Sequence, residues 1–402
     1  MNYQTVRLTE NELLQILVTH VHLNSIPNPN FEILTIRNDL PNETIGQFNP
    51  ALLEIKIIEP KKDAQDLSDK ILSILLHGKI RRGSINLILP FIPEFQEKIK
   101  ASIEHELPIE IALPTIPFKC QNPLSTQHSL SWVDLGECLF FRQLKSICAS
   151  IERIYPPGVK ITLISDGLVY AHIFANSQNL QTIKQIIKYR NNCGDIAKTV
   201  GLNGQVTIID MVTVIQSMLG HNPDEILALR DRVRDLLSKA QSQNGLIEKY
   251  MQSLQRGMLF NLPFSEYGYA EFIDISNLSQ QSLPMPIKTK IRNAALDYAS
   301  FLIVLYLLEI IRKAFPKALR ATVHPKNAPQ IPLHLVNEHS AVLPHNGVPV
   351  VSERRLIRTN SISRSARIVK FRDVISSPDI VKVNIADQQE PFYYLNKNGD
   401  KI

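Results

Sequence analysis

The sequence has few cysteines, few charges and none of the short loops that mark common cofactors. Its four cysteines, Cys120, Cys138, Cys148 and Cys193, form no CxxC pair. In a chain of 402 residues that argues for reduced thiols in a cytoplasmic protein and against a zinc site. No GxGxxG follows a strand-like run, so the dinucleotide fingerprint is missing. "GKIRRG" at Gly78 lacks the frame of a phosphate loop, and there is no GxSxG elbow. The opening "MNYQTVRLTENELLQIL" has no basic run leading into an apolar core, so no signal peptide is expected. The most apolar run, "YASFLIVLYLLEII" from Tyr298, is too short to span a bilayer and has Asp297 and Glu309 at its ends. A buried helix is expected there.

What is present supports a real core: 44% of residues are hydrophobic and 20% are charged. Nothing reads as disordered over long stretches. The net charge of +6 is concentrated in "ERRLIRTNSISRSARIVKFR", Glu353 to Arg372. That segment holds seven basic residues and one acidic one, an excess of 7 − 1 = 6. Such a cluster can contact nucleic acid, an acidic partner or a phosphorylated small molecule, or it can be a solvated face. Nucleic acid is disfavoured, because Phe371 is the segment's one base-stacking aromatic.

Residues 1–84 are expected to form a small α+β unit. "NELLQILVTHVHL" and "DAQDLSDKILSILLHGK" have helical spacing, the second capped by Asp63 or Asp66 and closed by Gly78. "NFEILTIR" and "ALLEIKIIE" alternate as strands do. From residue 85 the texture changes. "INLIL" and "IEIALP" read as strands stopped by proline. "VDLGECLFFRQLKSICASIERIY" reads as a helix, and "GVKITLIS" as the next strand. Strand, helix, strand in that order predicts a parallel βαβ unit with the two strands neighbours or near neighbours in one sheet. A helix-rich insertion follows over about 180–285. Then come a long helix that Pro316 stops and the strand "ALRATVHP". The expected fold class is α/β: a Rossmann-like, mostly parallel sheet over 85–402 with added helical segments.

Three polar segments stand at strand ends. "SDG", Ser165–Gly167, is either a hairpin turn or the carboxyl end of a sheet strand. The preceding helix and turn favour the second. "LPTIPFKCQNP" is a proline-stiffened loop carrying Lys119, Gln121 and Asn122. It is either a platform for a lysine facing an anion or carbonyl, or a stiff connection with an exposed lysine. In "ALRATVHPKN", alternation would place Arg320, Thr322 and His324 on one face. Arg and His at a strand end suit an anionic substrate and a proton transfer. Four histidines, at 324, 334, 339 and 345, invite a metal. No pair has the i, i+4 spacing of HExxH and no cysteine is near, so no metal site is assigned.

These segments, with "YPPG", "FPKALRATVHP" and "PHNGVPVV", together resemble the isonitrile (isocyanide) synthase family, which includes the pyoverdine/dityrosine biosynthesis proteins. The resemblance runs from about Ile85 to the C-terminus. It implies a Rossmann-like core without metal or redox cofactor. It also implies a reaction joining the α-amine of an aromatic amino acid to the ketone of ribulose 5-phosphate. Rearrangement and carbon–carbon cleavage, without decarboxylation, leave the amine as an isonitrile. A downstream Fe(II)/2-oxoglutarate oxygenase acting on that product is the implied partner; neither nucleic acid nor membrane is. On this reading Asp166, His324, Glu137 and Lys119 are catalytic candidates, with Lys119 also able to hold an anion. Arg320, Asn122, Ser165 and Thr322 would hold substrate. Two positions depart from the family pattern. His172 stands where an Asp is usual, and Asn346, in Pro344-His345-Asn346-Gly347-Val348, stands where a His is usual. A catalytically lapsed binding protein on the same fold is therefore the alternative.

Overall fold

The computed structural model describes residues 9–23, 40–120, 122, 125–126, 128–175, 180–259, 261–262, 285–324, 327–337, 340–375, 377 and 379–397. The N-terminal part supplies α1 (Glu10–Leu23), β1 (Asn42–Ile45) and α2 (Leu67–Leu75), and α3 (Ile92–Glu104) follows. Next come β2 (Ile109–Pro114), α4 (Leu135–Glu152) and β3 (Val159–Ser165), then α5 (Gly167–Phe174), α6 (Leu180–Thr199) and β4 (Val206–Asp210). A helical stretch comprises the single turn α7 (Met211–Thr213), α8 (Pro223–Ala240), α9 (Gly245–Met258) and α10 (Met285–Leu307). The chain then adds β5 (Leu319–Thr322), β6 (Ile331–Pro332), β7 (Val348–Ser352), β8 (Ala366–Val369), β9 (Ile380–Ile385) and β10 (Tyr393–Asn396).

The expected βαβ unit is present. β2 and β3 pair in parallel from Ile109↔Val159 to Pro114↔Ile164, with α4 between them in sequence. They are the middle of a five-stranded sheet in the order β4-β3-β2-β5-β6, whose pairings are all parallel. The chain steps outward from β2 to β4, then returns to lay β5 on the other side of β2. The direction of winding therefore reverses between β2 and β5, which is where open α/β sheets bind ligands beyond their carboxyl ends. The second sheet is mixed, in the order β1-β9-β10-β7-β8.

Alternation sorts the strand residues into two cores. Ile109, Ile111, Leu113, Ile161, Leu163 and Leu319 face the core built with α4 and α6. Ala112 and Ile164 face the core built with α5, α8, α9 and α10. Arg320 lies opposite Ala112 in the β2–β5 register, so it belongs to this second face.

Several expectations need correction. "INLIL" is no strand: it forms two short 3₁₀ turns, the first capped by Ser84 and the second entered through Pro90. A short apolar run does not by its period tell strand from helix. "ALLEIKIIE" is no strand either. Asn49 caps a turn at Pro50–Leu52, and the backbone N–H groups of Lys56 and Ile58 then donate to the hydroxyls of Ser146 (3.1 Å) and Ser150 (2.8 Å) on α4. "NFEILTIR" lies outside the described residues. Asp66, not Asp63, caps α2, and the helix ends before Gly78. The long C-terminal helix breaks at Glu309, which is left-handed (φ 50°), before Pro316 is reached. The N-terminal elements contact the rest of the described chain. α1 packs against α8 and α9, β1 pairs in parallel with β9, and α2 packs on α4. Among the described residues no helix is long and apolar enough to cross a membrane.

Gly167 explains the glycine of "SDG". A Cβ there would stand 2.2 Å from the carbonyl oxygen of Pro117, so the proline loop lies directly on the start of α5. Gly194, inside α6, has open space around it. Gly167→Ala should cost about 1–3 kcal/mol or more through overpacking. Gly194→Ala should gain about 0.5–1 kcal/mol from helix propensity. Urea unfolding of both variants checks this; a Gly167→Ala protein as stable as the parent would refute the close contact.

Candidate active site

Two groups of ionisable side chains flank the carboxyl ends of the central strands, and they differ in how far their polar atoms are satisfied. The first is built around Lys119, whose side chain has no exposed surface. Its ammonium lies 2.9 Å and 3.0 Å from the two Glu137 oxygens, 2.9 Å from Asp134 Oδ2 and 2.8 Å from the Pro344 carbonyl. Asp134 and Glu137 form the capping box of α4: the Asp134 side chain accepts from the Gly136 N–H, and Glu137 accepts from the Asp134 N–H. Tyr189 of α6 donates to Glu137 Oε1 at 2.8 Å. Burial works against the charge on Lys119, but Asp134 and Glu137 outweigh it and raise its pKa. Burial also works against Glu137, and Lys119 outweighs it, so this carboxyl stays below its usual value. Burial and the Glu137 charge push Asp134 well up, against Lys119.

The second group lies on the other face of the sheet. Asp166 follows β3 directly and Arg320 sits on β5, both half-buried. Asp166 Oδ1 and Arg320 Nη1 are buried and have no hydrogen-bond partner among the described residues. Burial pushes the Asp166 carboxyl up to about 7, while its backbone N–H and Arg320 pull it down. Burial lowers Arg320 to about 9, and Asp166 opposes this. Asp166 does not cap α5 with its side chain. The wall is aromatic. Tyr170 of α5 has a buried hydroxyl with no partner among the described residues, and its ring lies 5.1 Å from Tyr298 and 6.0 Å from Phe301 of α10. His172 lies 5.7 Å from Phe301, and its Nε2 is likewise buried without a partner among the described residues. This is a carboxyl poised near neutrality, beside an arginine with an unused N–H, against an apolar wall. Such a set can bind an anion and exchange a proton.

The sequence-derived candidates are therefore divided. Asp166 and Arg320 feel each other's charge across the end of β2, though no hydrogen bond or ion pair joins them. Lys119 and Glu137 meet each other, and the exposed lysine considered for the proline loop is instead buried. Asn122 uses its amide on the carbonyls of Leu259 (2.6 Å) and Leu262 (2.5 Å), tying the loop to the end of α9. Ser165 donates to the Ile116 carbonyl at 3.1 Å. β5 stops at Thr322, whose hydroxyl accepts from the His324 N–H at 3.1 Å, and the His324 side chain is exposed. Asn346 lies in a short turn, Pro344–Asn346. Among the described residues no group of three or more His, Cys, Asp or Glu side chains is placed to hold a metal. Tyr170 and Tyr298 were not singled out from the sequence. Their one signal is that Tyr170 falls four residues after Asp166, one helical turn along α5.

Residues 99–367 match the family model described as pyoverdine/dityrosine biosynthesis protein, which is more than half of the chain. The chain belongs to that family. An L-tyrosine isonitrile synthase of Xenorhabdus nematophila is 25% identical over 67% of this chain and 77% of its own length. An L-tryptophan isonitrile synthase, AmbI2, of Fischerella ambigua is 30% identical over 38% of this chain, a match spanning only 48% of that relative. The crystal structure of the PvcA protein from Pseudomonas aeruginosa superposes with a TM-score of 0.61 at 20% identity, covering 83% of this chain and all of that one. The pyoverdine/dityrosine assignment thus rests on sequence, and PvcA independently carries the α/β fold.

The raised Asp166 pKa has a consequence for stability. The folded protein binds at pH 5–6 a proton that the unfolded chain releases near pH 4, so this group's contribution is full below about pH 4 and is lost as pH rises through 7. Asp166→Asn cannot ionise. It should be more stable than the parent at pH 8, with the difference shrinking toward pH 4. Urea midpoints at the two pH values measure this, and parallel pH profiles would rule it out.

Proposed function

We propose that the protein is an isonitrile synthase that condenses the α-amine of an aromatic amino acid with the ketone of ribulose 5-phosphate, without metal or redox cofactor. The observation that carries the reading is the Asp166–Arg320 pair at the reversal point of the parallel sheet, with buried polar atoms left unpaired. Relatives named as tyrosine and tryptophan isonitrile synthases support the activity class. Imine formation from an amine and a ketone releases water and needs one group to take a proton from nitrogen and another to give one to the departing oxygen. A carboxyl near pKa 7 can do both in turn at neutral pH. Arg320 offers a fork for a carboxylate or a phosphate. Tyr170, Tyr298 and Phe301 offer an apolar wall against which an aromatic side chain can pack. The isonitrile would pass to an Fe(II)/2-oxoglutarate oxygenase, and the site of action would be the cytoplasm.

One observation favours a second reading, a binding protein that has lost turnover. Asn346 cannot act as a base where the family pattern has a histidine.

Mass spectrometry of tyrosine or tryptophan incubated with ribulose 5-phosphate separates the two. Isonitrile should form with at least one of the amino acids, and kcat/KM should rise as pH passes about 7. Asp166→Asn should lower kcat on the order of 100-fold or more and flatten that limb. Arg320→Ala should act mainly on KM, roughly 10-fold or more. Ribulose 5-phosphate binding without product would establish the second reading.

A further inference from the structure

About one and a half turns beyond Glu137, α4 contributes to a different concave surface. A cleft of 340 Å³ opens where the N-terminal part meets α4 and the turn Ile362–Ser365; Lys56, His77, Lys79, Arg142, Asn337 and Arg364 line it. None of its lining residues belongs to the Asp166–Arg320 site. The basic segment picked out in the sequence reaches it through Arg364.

Its charges do not cancel. One acid, Glu59, lines the cleft and is bound by Arg153, and Arg364 is bound by Glu54, so each of these carboxylates already has its cation. Lys56, Lys79 and Arg142 make no ion pair with a carboxylate among the described residues. Arg142 is the most informative. It is only 4% exposed, yet its guanidinium meets only neutral acceptors, the Glu54 carbonyl at 3.2 Å and the Gln143 side chain at 3.4 Å. Its Nε is buried without a partner among the described residues. A buried cation in that state is costly unless an anion completes it. Lys56 reports the same crowding. Burial lowers its pKa, Glu54 opposes, and Arg364, Arg142 and Lys79 lower it further.

We propose that this cleft binds a phosphorylated small molecule, with the phosphate held by Arg142, Lys56 and Lys79. A cleft of this size suits a single small ligand. A planar guanidinium with an unbonded Nε–H beside two exposed ammonium groups matches a dianionic phosphate. The site spans the N-terminal part and the sheet-bearing part, so its occupancy ties the first 84 residues to the rest. The inference does not rest on the isonitrile reaction.

Calorimetry at fixed ionic strength tests it, with fructose 6-phosphate as the ester, inorganic phosphate as the bare anion and fructose as the uncharged control. The ester should bind the parent and the Arg320→Ala variant alike, and fructose should give no heat. The double variant Lys56→Gln/Lys79→Gln should bind the ester at least 10-fold more weakly; both residues are exposed, so folding should be unaffected. Arg142→Met should do the same if it folds. Ester binding that is absent from the parent, unchanged in the double variant, or lost in Arg320→Ala would overturn the site. Binding of inorganic phosphate without the ester would overturn the ligand. Isonitrile formation is measured separately, so failure here leaves that activity standing and the reverse holds too.

Discussion

A lysine ammonium with no exposed surface must be neutralised where it sits, and the way this chain does so organises the region around the central strands. Lys119 comes from the loop after β2, Asp134 and Glu137 from the first turn of α4, Tyr189 from α6, and the Pro344 carbonyl from far along the chain. Removing any one charged member would leave another buried and unpaired, a penalty of about 3–5 kcal/mol for pairs of this kind. The capping box adds a second demand. Asp134 and Glu137 must satisfy the first N–H groups of α4 while they hold Lys119, so helix start and ion cluster share one geometry.

That anchoring reaches the second group through the backbone. With Lys119 fixed, the proline loop is drawn tightly over the end of β3. Ile116 takes a left-handed φ of 52°, uncommon and strained for a β-branched residue. Its carbonyl accepts from Ser165, and the Pro117 carbonyl lies where only a glycine fits, at Gly167. Asp166 stands between those two contacts. Its position is set by its neighbours on either side, while its own Oδ1 stays unbonded among the described residues. On the proposed reading, a carboxyl held by its backbone keeps its side chain for a ligand.

Much of this was legible in the sequence where local and long-range signals agreed. The 3.6-residue stripe of α4 and the apolar runs ending in Pro114 and Ser165 gave the βαβ unit, which is paired as expected. "ALLEIKIIE" misled because its alternation is real but its hydrogen-bond partners are serine hydroxyls on a helix, which no strand pattern encodes. Lys119 was visible as special, but its burial was not. That depends on Asp134 and Glu137, which in sequence look like an ordinary helix start. The strand-end placement of Asp166 and Arg320 is legible in the sequence, whereas nothing there marks the tyrosines beside Asp166 except the four-residue spacing of Tyr170. His324 followed from extending the alternation of β5 past Thr322, where the strand has stopped.

The contrast between the two groups bears on which of them does chemistry. Lys119, Asp134 and Glu137 are as costly to bury as any side chains here, yet the ammonium and the Glu137 oxygens have partners within 3.0 Å. The Lys119 ammonium spends its donors on Glu137, Asp134 and the Pro344 carbonyl and keeps none for a substrate. Asp166 and Arg320 are less buried and less satisfied. They keep an unbonded oxygen and an unbonded N–H, and their proton affinities are displaced toward neutrality by burial more than by each other. Folding alone gives no reason to leave two such groups incomplete at the reversal point of a parallel sheet. On the proposed reading, a ligand with an anionic group and an exchangeable proton supplies the partners that Asp166 Oδ1 and Arg320 Nη1 lack among the described residues.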